Sequence, residues 1–106
     1  MKLAEVRRIA LALPEVVEQP HHDFTSFRVR GKIFATAPPA GSHVHLFVDE
    51  PTRGLALAMH PEIAEKLLWG GKVMGLRVAL ADAQPAVVKD WLRRAWRRKA
   101  PMSLHG

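Results

Sequence analysis

A chain of 106 residues and 11.8 kDa makes one small domain with one modest core, and leaves no room for a second. Hydrophobic residues at 48% and charged residues at 25% exclude wholesale disorder, and the absence of cysteine excludes disulfides, thiolate metal sites and cysteine nucleophiles and fits a reducing cytoplasm. Sixteen Lys and Arg against ten Asp and Glu leave a formal charge of +6, which turns the search for a partner toward polyanions and says nothing about fold.

Residues 3–13 read as a first helix, with Leu3, Val6, Ile9, Ala10 and Leu13 on one stripe and Pro14 as its stop. The polar stretch Glu15 to Asp23 reads as a loop. Residues 24–37 read as a β-hairpin turning at Arg30-Gly31, a register that pairs Phe27 with Phe34 in the core, with Val29 beside them. Its opposite face then carries Ser26, Arg28, Ile33 and Ala35. After the break at Pro38-Pro39-Ala40-Gly41-Ser42, residues 43–48 alternate as a third strand, Val44, Leu46 and Val48 one way and His43, His45 and Phe47 the other.

Asp49-Glu50-Pro51 starts a helix over about 50–59, and a second short helix is expected over 61–68. Trp69-Gly70-Gly71-Lys72 is a turn. Residues 73–81 form a strand with Met74, Leu76, Val78 and Leu80 inward and Arg77 outward. The last helix, about 84–99, sets Val87, Val88, Trp91, Leu92, Ala95 and Trp96 against Lys89, Asp90, Arg93, Arg94 and Arg97, with Arg98 near the boundary. The tail 101–106 is expected to fray. The order α-β-β-β-α-α-β-α implies a single α+β domain over 1–106, an antiparallel sheet of about four or more strands with helices packed mainly on one face.

No apolar run approaches the ~20 residues that cross a bilayer. The N-terminus meets Glu5 and then Arg7-Arg8 before any continuous apolar block, so neither a membrane partner nor a secretory signal is expected. The charge is unevenly placed. Residues 84–106 hold Lys89, Arg93, Arg94, Arg97, Arg98 and Lys99 against Asp90 alone, while ten bases and nine acids leave the rest nearly neutral. Arginines at these helical spacings can meet phosphates, and they equally make a solvated face that keeps a small protein soluble.

The outer face of the sheet would present Arg28, His43, His45 and Arg77 among small and apolar side chains, a surface suited to nucleic acid or peptide or simply to water. His43 and His45 share a strand face, but a metal site needs three or four convergent ligands, so none is expected. No phosphate-cradling glycine loop, dinucleotide fingerprint or nucleophile elbow is present. The expectation is of a non-enzyme with no cofactor. Trp69, beside two glycines, is the aromatic residue best placed for binding.

The residues Ala10-Leu11-Ala12-Leu13-Pro14-Glu15-Val16, followed by Ser26-Phe27-Arg28-Val29-Arg30-Gly31-Lys32-Ile33-Phe34-Ala35, resemble the MmcQ/YjbR family. Trp69-Gly70-Gly71-Lys72-Val73, Leu76-Arg77-Val78 and the closing Ala95-Trp96 fit the same pattern, so the resemblance spans about residues 3–100. It implies a small bacterial cytosolic protein of CyaY-like or secretion-chaperone-like type. Through the likeness of that fold to a double-wing DNA-binding domain, it also implies DNA binding. It brings no catalytic motif. Of the matching Phe27, Gly31, Lys32 and Phe34, only Lys32 is placed to touch a phosphate.

The resulting expectation is a sequence-tolerant DNA-binding domain using Arg28, Lys32, Arg77, Arg93, Arg94, Arg97 and Arg98. The alternative is a protein- or ligand-binding adaptor working through the sheet face or the surface near Trp69, marked by an apolar concavity there. Nothing in the sequence gives an oligomeric state.

Overall fold

The computed structural model describes residues 1–105; Gly106, the end of the tail expected to fray, lies outside the described residues. The described residues form helix α1 (Leu3–Leu11), strands β1 (Val16–His21), β2 (Phe24–Val29), β3 (Lys32–Ala37) and β4 (His43–Leu46), helix α2 (Glu50–Met59), strands β5 (Ala64–Trp69) and β6 (Lys72–Ala79), helix α3 (Pro85–Lys99) and a 3-10 turn at Met102–Leu104. All strand pairs are antiparallel, in the order β1-β2-β3-β4-β6-β5. The architecture is α+β, with the helices over one face of the sheet. No helix is long and apolar enough to cross a membrane among the described residues.

Two expected elements are different. The stretch 15–23 contains β1, an edge strand. Its half-buried, polar sequence hides the alternation, and Pro20 fits there because an outward-facing edge needs no amide donor. The expected helix over 61–68 is instead a turn followed by β5. Ala64-Glu65-Lys66-Leu67-Leu68 has helix-forming composition, but Gly70 (φ 57°) and Gly71 (φ 79°) fold it back onto β6, and the cross-strand pairing overrides local propensity.

The β2–β3 hairpin turns at Arg30-Gly31, with Arg28 opposite Ile33 and Val29 opposite Lys32, but a bulge then shifts the register. Phe27 faces Ala35 rather than Phe34, and Phe34 becomes the extra residue, still wholly buried. Ala35 thus moves to the core, in a row that runs Phe27, Ala35, Leu46, Leu76. Thr36 takes its place outside. A second bulge in the β5–β6 hairpin sets Leu67 opposite Gly75 and Leu68 opposite Val73. Met74 is the residue left over, so it is 41% exposed rather than inward.

The core lies between this sheet face and the helices. Val6, Ile9 and Ala10 of α1 meet Val88, Trp91, Leu92, Ala95 and Trp96 of α3 over Phe27, Phe34, Leu46, Leu76 and Val78. Trp96 fixes the two helices by donating Nε1–H to the Pro14 carbonyl at 3.1 Å. Arg7 reaches from α1 to Glu18 of β1 at 2.8 Å, and the Thr25 hydroxyl donates to the same carboxylate at 2.6 Å. These bonds, the Arg7 side chain first, hold the Glu18 carboxyl below its ordinary range. Asp49 caps α2 by accepting the Thr52 amide at 2.9 Å.

Two glycines separate the costs of a methyl group. A Cβ at Gly75 would run into the Leu46 carbonyl oxygen and stand 3.2 Å from the Phe47 Cα, so β4 and β6 approach as closely as they do only without one. Gly75→Ala is expected to destabilise the fold by about 2–4 kcal/mol. Gly54, exposed on α2 with open space around it, is expected to gain about 0.5–1 kcal/mol on replacement by Ala. Urea unfolding followed by circular dichroism measures both.

Candidate functional site

Two surfaces on opposite sides of the sheet carry candidate chemistry. The first is the outward side of α3. Because Val88, Leu92 and Ala95 are buried, helical geometry turns Arg93, Arg94 and Arg97 to solvent. Arg93 and Arg97, one turn apart, have no ion-pair or hydrogen-bond partner among the described residues. Arg94 Nε is held by Asp90 Oδ2 at 3.0 Å. With Asp49, Thr52, Asp90 and Arg98, these three arginines line an open cleft of 360 Å³ between α2 and α3. Thr52, by its side chain and then its amide, keeps the Asp49 carboxyl below the usual range, and Arg98 and Arg94 add to this.

The seven residues expected to meet phosphates do not form one patch. Arg98 is an anchor: its guanidinium donates to the Phe47 carbonyl at 3.2 Å and the Val48 carbonyl at 2.9 Å, tying the end of α3 to the exit of β4. Lys32, exposed at the hairpin tip, lies near the end of α3, where its charge and that of Arg98 add to burial in lowering the Lys99 ammonium. Arg28 folds back on its own strands, Nε to Ser26 Oγ at 3.0 Å and Nη2 to the Pro20 carbonyl at 3.5 Å. Arg77 pairs with Glu65 across β5–β6 at 3.1 Å. These last two belong to the outer sheet face, away from the solvent side of α3.

The second surface is that outer face. After the β3 bulge a row of polar residues crosses all six strands: Gln19, Ser26, Thr36, His45, Arg77, Glu65. Its middle is covered. Ser26, Thr36 and His45 are buried, because side chains from the β1–β2 turn and the β5–β6 hairpin rise on either side. Between them lies a mostly apolar groove of 480 Å³. Phe24 stands on one wall, its ring 5.9 Å from that of His45, and Leu68, Trp69 and Met74 form the other. Leu68 and Trp69 are 61% and 68% exposed. Sequence reasoning singled out Trp69 but not Phe24, Leu68 or Met74. Reading 61–68 as a helix and Met74 as core concealed a wall built from both.

His45 is the buried titratable group of the groove floor. Only 8% of its surface is accessible, and its Nε2 is buried without a hydrogen-bond partner among the described residues. Burial first, then the charge of Arg77 and the neighbouring His43, push its pKa below the ordinary 6.5, so the ring is neutral at pH 7. His43 itself bonds Ser42 Oγ at 2.8 Å. No group of three or more His, Asp or Glu side chains placed to hold a metal occurs among the described residues.

The His45 environment fixes a pH dependence. The unfolded ring takes up a proton near pH 6.5 while the folded one resists until lower pH, so stability is full above that value and falls as pH drops toward the folded pKa. Between about pH 7 and 5 the urea midpoint is expected to decline, and His45→Asn to flatten that decline against the background of the other histidines.

Comparison with known proteins places this geometry. No curated protein matches the sequence. Among solved structures, the fold is similar to a Deinococcus radiodurans protein, DR2400, with a DUF419 domain. The TM-score is 0.73 at 20% identity, over 89% of this chain and 75% of that one, a likeness that concerns the fold. The family model YjbR matches residues 11–98, from the last turn of α1 through nearly all of α3, and the chain therefore belongs to the YjbR family.

Proposed function

We propose that this chain is a non-enzymatic, sequence-tolerant DNA-binding domain, working in the bacterial cytoplasm, that meets the phosphate backbone with the outward side of α3. The observation that carries the reading is the pair Arg93 and Arg97. They lie one turn apart on a helix locked into the core by its other side, with neither guanidinium occupied by a carboxylate of the described residues. A fixed helix presenting unpaired arginines loses little conformational freedom when it meets a polyanion, and guanidinium suits phosphate geometry. Arg94 and Lys32 extend the footprint. Arg98 supports it from behind, and Arg28 and Arg77 are committed elsewhere.

A second reading, an adaptor that binds a protein or ligand through the outer sheet face without nucleic acid, is favoured by the apolar groove beside Trp69.

Four phosphate contacts imply a slope of about −3.5 for log K against log salt on duplex DNA, and weak affinity at physiological salt. Anisotropy with a labelled random duplex should therefore lose roughly a hundredfold in affinity between about 50 and 200 mM salt. Arg93→Ala with Arg97→Ala should reduce the slope by about 2. Absence of binding at the lower salt, or binding that ignores the double substitution, would refute the reading. Retention of the native circular dichroism spectrum shows that the variant is folded.

A further inference from the structure

We propose that the groove on the outer face of the sheet is a binding site for a small apolar carboxylic acid. Its aromatic or alkyl body lies against Phe24, Leu68, Trp69 and Met74, and its carboxylate is received by His45 and Lys99. The proposal gives a ligand class to the second reading of the sheet face and is independent of phosphate contacts at α3.

Shape supplies the first argument. The groove holds 480 Å³, within the range of small-molecule sites, and has mostly apolar walls around a few polar groups. Leu68, Trp69 and Met74 leave a large apolar surface in water on one hairpin.

Chemistry supplies the second. His45 Nε2 is a buried polar atom with no partner in a groove-lining residue. Such atoms are rare because leaving one unsatisfied is costly, and a ligand oxygen that parts the side chains covering Nε2 and accepts its N–H would restore the missing bond. Charge selects the kind of oxygen. Among the described residues, the groove is lined by Lys99 and three histidines and by no Asp or Glu. Lys99 is already partly desolvated and crowded by Arg98 and Lys32, so a carboxylate there relieves repulsion that an alcohol leaves in place.

The full chain is titrated with 1-naphthoic acid, decanoic acid and the corresponding neutral alcohols, followed by tryptophan fluorescence and by NMR of the His45 ring. Both acids are expected to give saturable changes and to shift the His45 resonances, and the alcohols to bind about tenfold more weakly. Lys99→Met should cost the acids about tenfold and leave the alcohols unchanged. His45→Leu should weaken both classes, and Leu68→Glu should abolish binding. Arg93→Ala with Arg97→Ala should bind the acids normally, whatever it does to DNA. No saturable response to the acids, equal affinity for acids and alcohols, or indifference to Lys99→Met would overturn the proposal. So would a concentration-dependent dimer that Leu68→Glu dissolves and the acids do not disturb, which assigns the groove to a second copy of the chain.

Discussion

A β-strand gives its side chains to two faces in strict alternation, and in this protein one extra residue in β3 decides which face receives what. Without the bulge, Ser26 and Ala35 would share the outer face and the two phenylalanines would pair. With it, Phe27, Ala35, Leu46 and Leu76 line up beneath the helices, while Ser26, Thr36, His45 and Arg77 line up on the other side. The core and the polar floor of the groove are therefore consequences of one displacement. The second bulge, at Met74, acts in the same way at the far edge, where it releases an apolar side chain from the core to build a wall.

Helix α3 meets two demands with one amphipathic pattern. Its apolar side closes the core against α1 and β3, and Trp91 and Trp96 seal the rim, His60 packing edge-on against Trp91 and the Trp96 indole bonded to Pro14. Its basic side is left free to serve as a surface. The rigidity of the first side gives the second its value, since arginines on a frayed helix would have to be ordered upon every encounter. The charge that dominates the composition is thus concentrated where the backbone is well held.

The parts legible in sequence are those governed by local pattern. The stripe of α1, the Asp49 cap, the Gly70-Gly71 turn and the two-sided α3 all follow from periodicity and capping chemistry. What escaped was decided by partners distant in sequence. β1 is a strand because β2 offers it an edge, and β5 is a strand because two glycines return it to β6, although its composition favours a helix. Bulges leave no simple mark in the alternation they interrupt, so the register beyond Arg28 and the fate of Met74 were out of reach. The candidate surfaces divide along the same line. The arginine face was readable from one helix. The groove requires the β1–β2 turn, β3, β4, the β5–β6 hairpin and the end of α3 to be brought together. Of its lining the sequence offered Trp69 and the outer-face residues Ile33, His45 and Phe47, but not the walls they stand between.

Arg98 ties these surfaces together mechanically. Its guanidinium holds the carbonyl of Phe47, whose side chain lines the groove, and Lys99, the next residue along, reaches the same groove. The helix that carries the basic face is thus pinned to the backbone of the apolar cavity on the other side of the sheet. An alanine scan that counted Arg98 among the phosphate-binding residues would record a loss arising from a displaced strand exit. It would credit to electrostatics what belongs to a structural rivet.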